Sequence, residues 1–251
     1  MSQHRNVVVT GAGSGIGRAA AELFASRGDR VSCWDIREEG AQQTAEAIRA
    51  AGGDAEAVRC DVSSENDVST AFRHVDANWG GVDVLFVNAG IEGPLKPIPE
   101  VSLAEFNQVI NVNLVGAFLL SKHGIPSLRR RGGGAIVMTA SILAHVASKD
   151  WGAYAASKGG IVSLARSLAV DHGYEGIRVN CIAPGGVSTE LMHRGLITAG
   201  FDSDAAREYE ATLSTPQQVA EAVFYLAGPG ASLVNGSSLL LDNALTITCP
   251  T

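Results

Sequence analysis

The sequence of 251 residues has little charge and no long run of positive charge. Charged residues make up 18% of the chain, and 19 Lys plus Arg against 26 Asp plus Glu give a formal net charge of −7. Arg129-Arg130-Arg131 is its one basic cluster, whereas a protein that grips nucleic acid presents a whole stripe of positive charge to the phosphates. We therefore expect no nucleic-acid partner.

Cysteine is scarce, and the spacings typical of metal sites are missing. The four cysteines, at 33, 60, 181 and 249, form no C-x-x-C pair and have no histidine at ligand spacing. We expect reduced structural thiols and no metal site. The segment MSQHRNVVVT leaves no room for a cleavable signal sequence before a β-rich run, and glycine, proline and asparagine interrupt the longest uncharged stretch, 222–241. These features predict a cytoplasmic protein that does not enter a membrane.

Hydrophobic residues and glycine, by contrast, are plentiful. At 46% hydrophobic, the chain can bury a sizeable core, which excludes a disordered protein. Its 29 glycines are about 12% of the residues against a usual level of about 7%, and they lack the three-residue period of collagen. Many tight backbone turns are therefore expected. No repeat or low-complexity linker divides the sequence, so residues 1–251 are predicted to form a single domain.

Short β-branched runs alternate with longer helical patterns along the whole chain. This alternation is typical of an α/β fold in which a doubly wound parallel sheet has helices on both faces. Seven strands are predicted, at 6–10, 30–35, 55–60, 83–87, 134–140, 177–181 and 237–241. The predicted helices are at 15–28, 38–51, 64–79, 102–130, 154–173 and 216–227.

Two segments depart from the alternation of strand and helix. Residues 90–101 contain three prolines, and residues 182–215 form a long excursion that begins with the letters IAPGG. Both follow strands directly, and open α/β sheets bind ligands beyond the carboxyl ends of their strands. The two segments are therefore predicted to wall a substrate pocket, with a lid at about 190–215.

A glycine-rich turn follows the first predicted strand. The letters TGAGSGIG, Thr10 to Gly17, match T-G-x-x-x-G-x-G and lead into a helix, where backbone N–H groups can approach a pyrophosphate. Asp35, at the end of the second strand, can accept hydrogen bonds from both hydroxyls of an adenosine ribose and would repel a 2′-phosphate. These residues favour NAD as cofactor, although Arg37 could accommodate a phosphate.

Tyr154 and Lys158 lie four residues apart on a predicted helix. Side chains at this spacing share a helix face, so the ammonium of Lys158 can approach the phenol of Tyr154. A nearby cation favours the phenolate, and we therefore expect the pKa of Tyr154 to be lowered from about 10 towards the working pH. Such a tyrosine can serve as a general acid or base. Isolated Tyr–Lys pairs are common on surfaces, so the wider context must support this role.

Several motifs that follow one another along the chain support a catalytic role for this pair. Together they make the chain resemble the short-chain dehydrogenase/reductase family over nearly its whole length. TGAGSGIG resembles the cofactor loop of the family, Asn88-Ala89-Gly90 its N-A-G motif, and Ser141, 13 residues before Tyr154, its serine. Asn113 falls at the position of its asparagine. The segment that contains Pro184, Gly185, Val187 and Thr189 resembles its P-G-x-x-x-T segment, and Asp61 its adenine-contacting acid.

The resemblance implies a role for each of these residues. The catalytic set would be Asn113, Ser141, Tyr154 and Lys158, with Ser141 positioning the substrate oxygen, Tyr154 exchanging its proton and Asn113 anchoring a relay water. Lys158 would also hold the nicotinamide ribose, and Asn88 would support the central strand ends. The set in contact with the cofactor would be Gly11, Ser14, Gly15, Ile16, Gly17, Asp35, Asp61, Val62, Asn88, Ala89, Gly90, Tyr154, Lys158, Pro184, Gly185, Val187 and Thr189. The implied reaction interconverts a secondary alcohol and a ketone, both small molecules, in a homodimer or homotetramer.

The sequence departs from the family pattern at two places. Val87 replaces the first of two usual asparagines, and Asn243-Ala244 replaces glycines after Asp242, which leaves the role of the C-terminal tail open. Among alternatives, nucleotide-sugar epimerases need a longer chain, and enoyl reductases place the lysine farther from the tyrosine. A catalytically silent dinucleotide-binding sensor or assembly subunit would be expected to lack Ser141, Tyr154 or Lys158, and none is missing.

Overall fold

A seven-stranded parallel sheet forms the centre of the computed structural model, which describes residues 4–198, 202–210 and 213–247. The strand order is β3-β2-β1-β4-β5-β6-β7, and every neighbouring pair is parallel. The strands are β1 Asn6–Thr10, β2 Arg30–Asp35, β3 Asp54–Arg59, β4 Val84–Val87, β5 Gly134–Thr139, β6 Ile177–Pro184 and β7 Ser238–Leu241. The predicted fold class and all seven strands are confirmed.

Helices cover both faces of this sheet. They are α1 Gly15–Ser26, α2 Glu38–Ala50, α3 Glu65–Trp79, α4 Leu103–Ile110, α5 Gly116–Arg130, α6 Gly152–His172, α7 Glu190–Thr198, α8 Ser203–Glu210 and α9 Pro216–Ala227. Helix starts follow the sequence signals: the hydroxyls of Ser64 and Ser102 accept from the backbone N–H groups of Asp67 and Glu105, and Pro216 occupies the first turn of α9.

Two apolar layers separate the sheet from its helices. Alternate residues of each strand point to opposite faces, so Val8 and Leu85 pack in one layer while Val9 and Phe86 pack in the other. All four side chains are fully buried. A strand that is buried on both faces needs apolar residues at successive positions, which explains the continuous apolar runs of the sequence.

The structure differs from the prediction in three places. The predicted helix 102–130 contains a π-helical turn, Asn111–Val115, between α4 and α5. The excursion after β6, predicted as irregular, contains α7 and α8, and β6 itself extends to Pro184 because β7 pairs with its last four residues. The π turn has a tertiary cause, described below, that local sequence pattern does not reveal.

The chain reverses direction across the sheet at β1. From β1 it passes to β2 on one side, and after β3 it returns to β4 on the other side. The connections on the two sides therefore leave a crevice above the carboxyl ends of β1 and β4, which is where doubly wound folds bind their ligands.

Candidate active site

A cleft of about 510 Å³ occupies this crevice. It is lined by all but two of the predicted site residues, namely Gly11, Ser14, Gly15, Ile16, Asp35, Asp61, Val62, Asn88, Ala89, Gly90, Ser141, Tyr154, Lys158, Pro184, Gly185, Val187 and Thr189. The two exceptions, Gly17 and Asn113, are buried beside the cleft. One end of the cleft lies against β2 and the other against α6, so residues distant in sequence share one elongated site.

The glycine-rich turn has the shape of a phosphate cradle. Gly11 and Gly15 have φ angles of +65° and +52°, which L-residues with a side chain rarely adopt. Gly17 lies in the first turn of α1, where a Cβ atom would overlap the carbonyl oxygen of Gly11. Gly17 therefore brings the helix close to the turn, while its own atoms do not line the cleft. The positive end of α1 faces the space that a pyrophosphate would fill.

Asp35 lies at the β2 end of the cleft and is held by backbone groups. Its Oδ2 accepts from the N–H of Gly13 at 2.9 Å, and its Oδ1 accepts from the N–H of Arg37 at 2.9 Å. Each carboxylate oxygen has a second lone pair, so both can still accept from ribose hydroxyls. The arrangement fits the adenosine end of a dinucleotide.

Arg37 lies across the mouth of the cleft near Asp35. Its Nη2 donates to the hydroxyl of Ser14 at 3.1 Å, and its Nη1 lies 3.7 Å from a carboxylate oxygen of Glu190 at the start of α7. Its Nε lies 4.0 Å from Asp35 Oδ1. The guanidinium is thus shared between two carboxylates, which weakens it as a site for a 2′-phosphate.

Asn88 and Thr10 join the strand ends beneath the middle of the cleft. The amide of Asn88 donates to the carbonyl of Thr10 at 3.1 Å and accepts from the hydroxyl of Thr139 at 3.1 Å, which ties β1 and β5 to the end of β4. The hydroxyl of Thr10 accepts from the backbone N–H of Asn88 at 2.9 Å. Val87, in place of the usual asparagine, is buried among the core residues.

Tyr154, Ser141 and Lys158 form a cluster at the α6 end of the cleft. The ring of Tyr154 packs edge-on against Trp151, with ring centroids 5.4 Å apart, and its hydroxyl lies close enough to the side chain of Ser141 for the serine to influence its pKa. Lys158 is buried, and its Nζ donates to the carbonyl oxygen of Thr139 at 2.7 Å. The same Nζ lies 5.5 Å from the centroid of the Tyr154 ring.

The electrostatics of this cluster correct the prediction made from spacing. Burial raises the pKa of Tyr154 to about 12, opposed by the hydrogen bond with Ser141 and reinforced by the charge of Glu92. Burial also lowers the pKa of Lys158 to about 8. The expectation of an acidified phenol was wrong for the chain alone, because Lys158 bonds to Thr139 and faces the aromatic ring. At neutral pH the phenol is therefore protonated and able to donate.

Asn113 lies in the π-helical turn, and the contacts of its side chain explain that turn. Its Oδ1 accepts from the N–H of Ile91 at 2.8 Å, and its Nδ2 donates to the carbonyl of Ile91 at 2.9 Å and to the hydroxyl of Ser157 at 3.0 Å. The amide thus binds the loop after β4 to α6. The extra residue in the turn directs this side chain inwards.

Sequence reasoning missed several residues that line the cleft. These are Ile36, Cys60, Gln108, Val112, Thr139 and Ala140, whereas Ile91 and Glu92 belong to the segment 90–101 that was predicted to wall the pocket. Met192 of α7, within the segment 190–215 predicted as a lid, also lines it. His145, in the loop after β5, is not among the residues that line the cleft, and its Nε2 is 2.8 Å from Ser238 Oγ. Glu92, two residues after the N-A-G motif, adds a charged side chain to the lining.

Comparisons with known proteins agree with this geometry. A family model described as Enoyl-(Acyl carrier protein) reductase matches residues 11–246. A cis-4-hydroxycyclohexanecarboxylate dehydrogenase of Sinomonas cyclohexanicum is 41% identical over 247 residues, with 96% of each chain covered. A 2,5-dichloro-2,5-cyclohexadiene-1,4-diol dehydrogenase of Sphingobium indicum is 38% identical over 250 residues, covering 96% of this chain and 97% of that one.

A solved structure, a 7α-hydroxysteroid dehydrogenase complexed with NADH and 7-oxo glycochenodeoxycholic acid, superposes with a TM-score of 0.85. It is 33% identical, and the match covers 94% of this chain and 92% of that one. The chain belongs to the short-chain dehydrogenase/reductase family. As a member of this family it is an NAD(P)-dependent oxidoreductase that interconverts a secondary alcohol and a ketone.

Proposed function

We propose that Tyr154 is the general acid and base of this oxidoreductase and that Ser141 binds the substrate oxygen. The observation that carries the proposal is that Tyr154 and Ser141 line the same end of the cleft, beside the buried Lys158. A carbonyl oxygen placed between them would accept from both. A bound nicotinamide supplies the hydride in ketone reduction and accepts it in alcohol oxidation.

Lys158 and Asn113 complete the proposed proton path. In reduction the phenol proton moves to the substrate oxygen, so Tyr154 must be protonated again before the next cycle. Burial lowers the pKa of Lys158 to about 8, which lets this group release and regain a proton near neutral pH. We assign to Asn113 the role of holding this region in place and of anchoring a relay water.

We also propose that NAD is preferred over NADP. Asp35 is 8% exposed and accepts from two backbone N–H groups, so its charge stays at the ribose position. A 2′-phosphate carries about two negative charges at neutral pH and would lie against the carboxylate of Asp35. Gly11, Ser14, Gly15 and Ile16 would hold the pyrophosphate, and Asp61 and Val62 would flank adenine.

The substrate class that we propose is a cyclic secondary alcohol or the corresponding ketone. The support is chemical similarity, since the two dehydrogenases above are named for six-membered rings that carry hydroxyls. Apolar lining from Ile91, Val112 and Met192 suits the hydrocarbon part of such a ring. A panel of cyclic and linear alcohols with NAD, followed by nicotinamide absorbance, tests this proposal, and equal rates on linear alcohols would contradict it.

A homodimer or homotetramer built on α5 and α6 is the oligomeric state that we propose. Phe118 on α5 is 49% exposed and Val170 on α6 is 80% exposed. The continuous helical stretch Leu103–Arg130 contains an 18-residue window with a mean hydropathy of 1.3, and 33% of that window is buried. By length and composition alone, this stretch could also span a membrane. We assign its open apolar surface to a subunit contact. Light scattering should give a mass at least twice 26.0 kDa, and a monomer would refute this assignment.

The remaining proposals concern domain organisation and location. We propose that residues 1–251 act as one domain in which 190–215 is a lid, since α7 carries Met192 to the cleft. Among the described cysteines, Cys33, Cys60 and Cys181 are free and buried, which supports a reducing, cytoplasmic environment.

A further inference from the structure

Arg37 places a guanidinium at the adenosine end of the cleft. Among the side chains that the structure describes, the cations that line the cleft are Arg37 and Lys158, and Lys158 lies at the other end, beside the ring of Tyr154. In doubly wound folds a nearby arginine can accommodate the 2′-phosphate of NADP. The groups that hold Arg37 therefore bear on which cofactor the protein prefers.

Glu190, the first residue of α7, pairs with this guanidinium. Its Oε2 lies 3.7 Å from Nη1 of Arg37. The other nitrogens of Arg37 face the cofactor turn and β2, since Nη2 donates to the hydroxyl of Ser14 at 3.1 Å and Nε lies 4.0 Å from Oδ1 of Asp35. Arg37 is 51% exposed and Glu190 is 64% exposed, so the pair lies at the mouth of the cleft.

The start of α7 is anchored beside the cofactor turn. The hydroxyl of Thr189 accepts from the N–H of Met192 at 3.2 Å, as expected of a residue that caps the start of a helix. The methyl group of Thr189 also lies close to Gly15, where an added Cβ atom would come within 3.2 Å of it. Glu190 therefore reaches Arg37 from a fixed position.

A 2′-phosphate would have to compete with Glu190 for the guanidinium of Arg37. Phosphate and carboxylate carry charge of the same sign, and an N–H group that is directed at one of them is not directed at the other. Removing the carboxylate charge should release Nη1 for the phosphate, while Asp35 would still oppose it. Because ion pairs exposed to solvent are weak, the expected change is a few-fold, which is smaller than the effect of Asp35 itself.

We infer that Glu190 is a positioning residue for cofactor selectivity: it engages the guanidinium of Arg37 and so adds to the preference for NAD that Asp35 sets. The inference rests on the proposed preference for NAD. It goes beyond that proposal because it assigns part of the selectivity to the first residue of the proposed lid, which lies far along the chain from the glycine-rich turn and β2.

Binding of the two reduced cofactors tests the inference without a substrate. The Kd values for NADH and NADPH are measured by nicotinamide fluorescence titration, and their ratio is compared between the wild type and Glu190→Gln. We expect the ratio of the NADPH Kd to the NADH Kd to fall about two- to fivefold in Glu190→Gln, because NADPH binds more tightly. Glu221→Gln is the matched control and should leave the ratio unchanged, since Glu221 pairs with Arg27 at 3.9 Å, is 60% exposed and does not line the cleft.

A double-mutant cycle shows whether Glu190 acts through Arg37. In an Arg37→Gln background, Glu190→Gln should no longer change the ratio of the two Kd values. A change of the same size in that background would mean that the carboxylate acts without Arg37, and this result would overturn the inference.

Two other results would also overturn it. A distorted α7 would weaken both cofactors alike and leave the ratio unchanged in Glu190→Gln, and an equal change in Glu221→Gln would show a general effect of surface charge. Each of these results leaves the proposed preference for NAD intact. A wild type that binds NADPH more tightly than NADH would contradict the preference and the inference together.

Discussion

Replacing Tyr154 with phenylalanine removes the proposed proton donor and leaves its surroundings in place. The phenylalanine ring can keep the edge-on contact with Trp151 at 5.4 Å and the position of Lys158 Nζ 5.5 Å from the ring centroid. Only the hydroxyl and its interaction with Ser141 are lost. General acid–base catalysis contributes roughly 10² to 10⁴ in rate, so we expect kcat to fall by at least that factor, or about 3 to 5 kcal/mol of activation free energy.

The assay separates catalysis from binding. Ketone reduction is followed by NADH absorbance, and NADH affinity by fluorescence titration, which should change no more than a few-fold because the pyrophosphate turn and Asp35 are untouched. Tyr225→Phe is the control, since Tyr225 is 49% exposed on α9 and lies outside the cleft. A Tyr154→Phe protein with wild-type turnover would refute the proposed role, and equal losses of turnover and NADH affinity would show that the hydroxyl serves binding.

Four further predictions concern other parts of the chain. Asp35→Ala should narrow the preference for NAD over NADP by roughly tenfold, about 1.4 kcal/mol, because the charge that opposes a 2′-phosphate is gone; a wild type that favours NADP would contradict this. Gly17→Ala should lower the free energy of unfolding by about 1–3 kcal/mol and weaken NADH binding, since a Cβ atom would overlap the carbonyl of Gly11. Gly159→Ala, which meets no atom within 4 Å in the middle of α6, should instead stabilise the protein by about 0.5–1 kcal/mol in denaturant unfolding. Burial raises the pKa of Cys33, Cys60 and Cys181 to about 12, so roughly 1 in 10,000 of each thiol is ionised at pH 8, and mass spectrometry should find these thiols unalkylated until the protein unfolds.

Elements with strong local signals were predictable from the sequence. The strands are continuous apolar runs, and Ser102 forms a capping box with Glu105 as its spacing indicated. Irregular features were not predictable, because distant residues determine them. The π turn depends on Asn113 bonding to Ile91 and Ser157, which come from other elements. Helix α7 is only nine residues long and includes Gly195, which is unfavourable inside a helix, so the excursion 182–215 looked irregular.

The candidate site shows the same division between what spacing reveals and what it does not. The positions of the motifs in the sequence were enough to predict that Ser141, Tyr154 and Lys158 lie in one cleft. The spacing of two residues on a helix predicts that their side chains lie close together, but it does not predict the direction in which a flexible side chain points. Lys158 turns to the carbonyl of Thr139, and burial then dominates the pKa of Tyr154.

The central claim is that Tyr154 and Ser141 together hold the oxygen of a substrate whose carbon exchanges hydride with the cofactor. A crystal structure of the protein with NADH and an unreactive ketone analogue tests it directly. We expect the analogue oxygen within about 2.6–3.2 Å of both hydroxyls, with the nicotinamide ring against the reacting carbon. A ring bound elsewhere in the cleft, or an analogue oxygen bound to neither hydroxyl, would contradict the account.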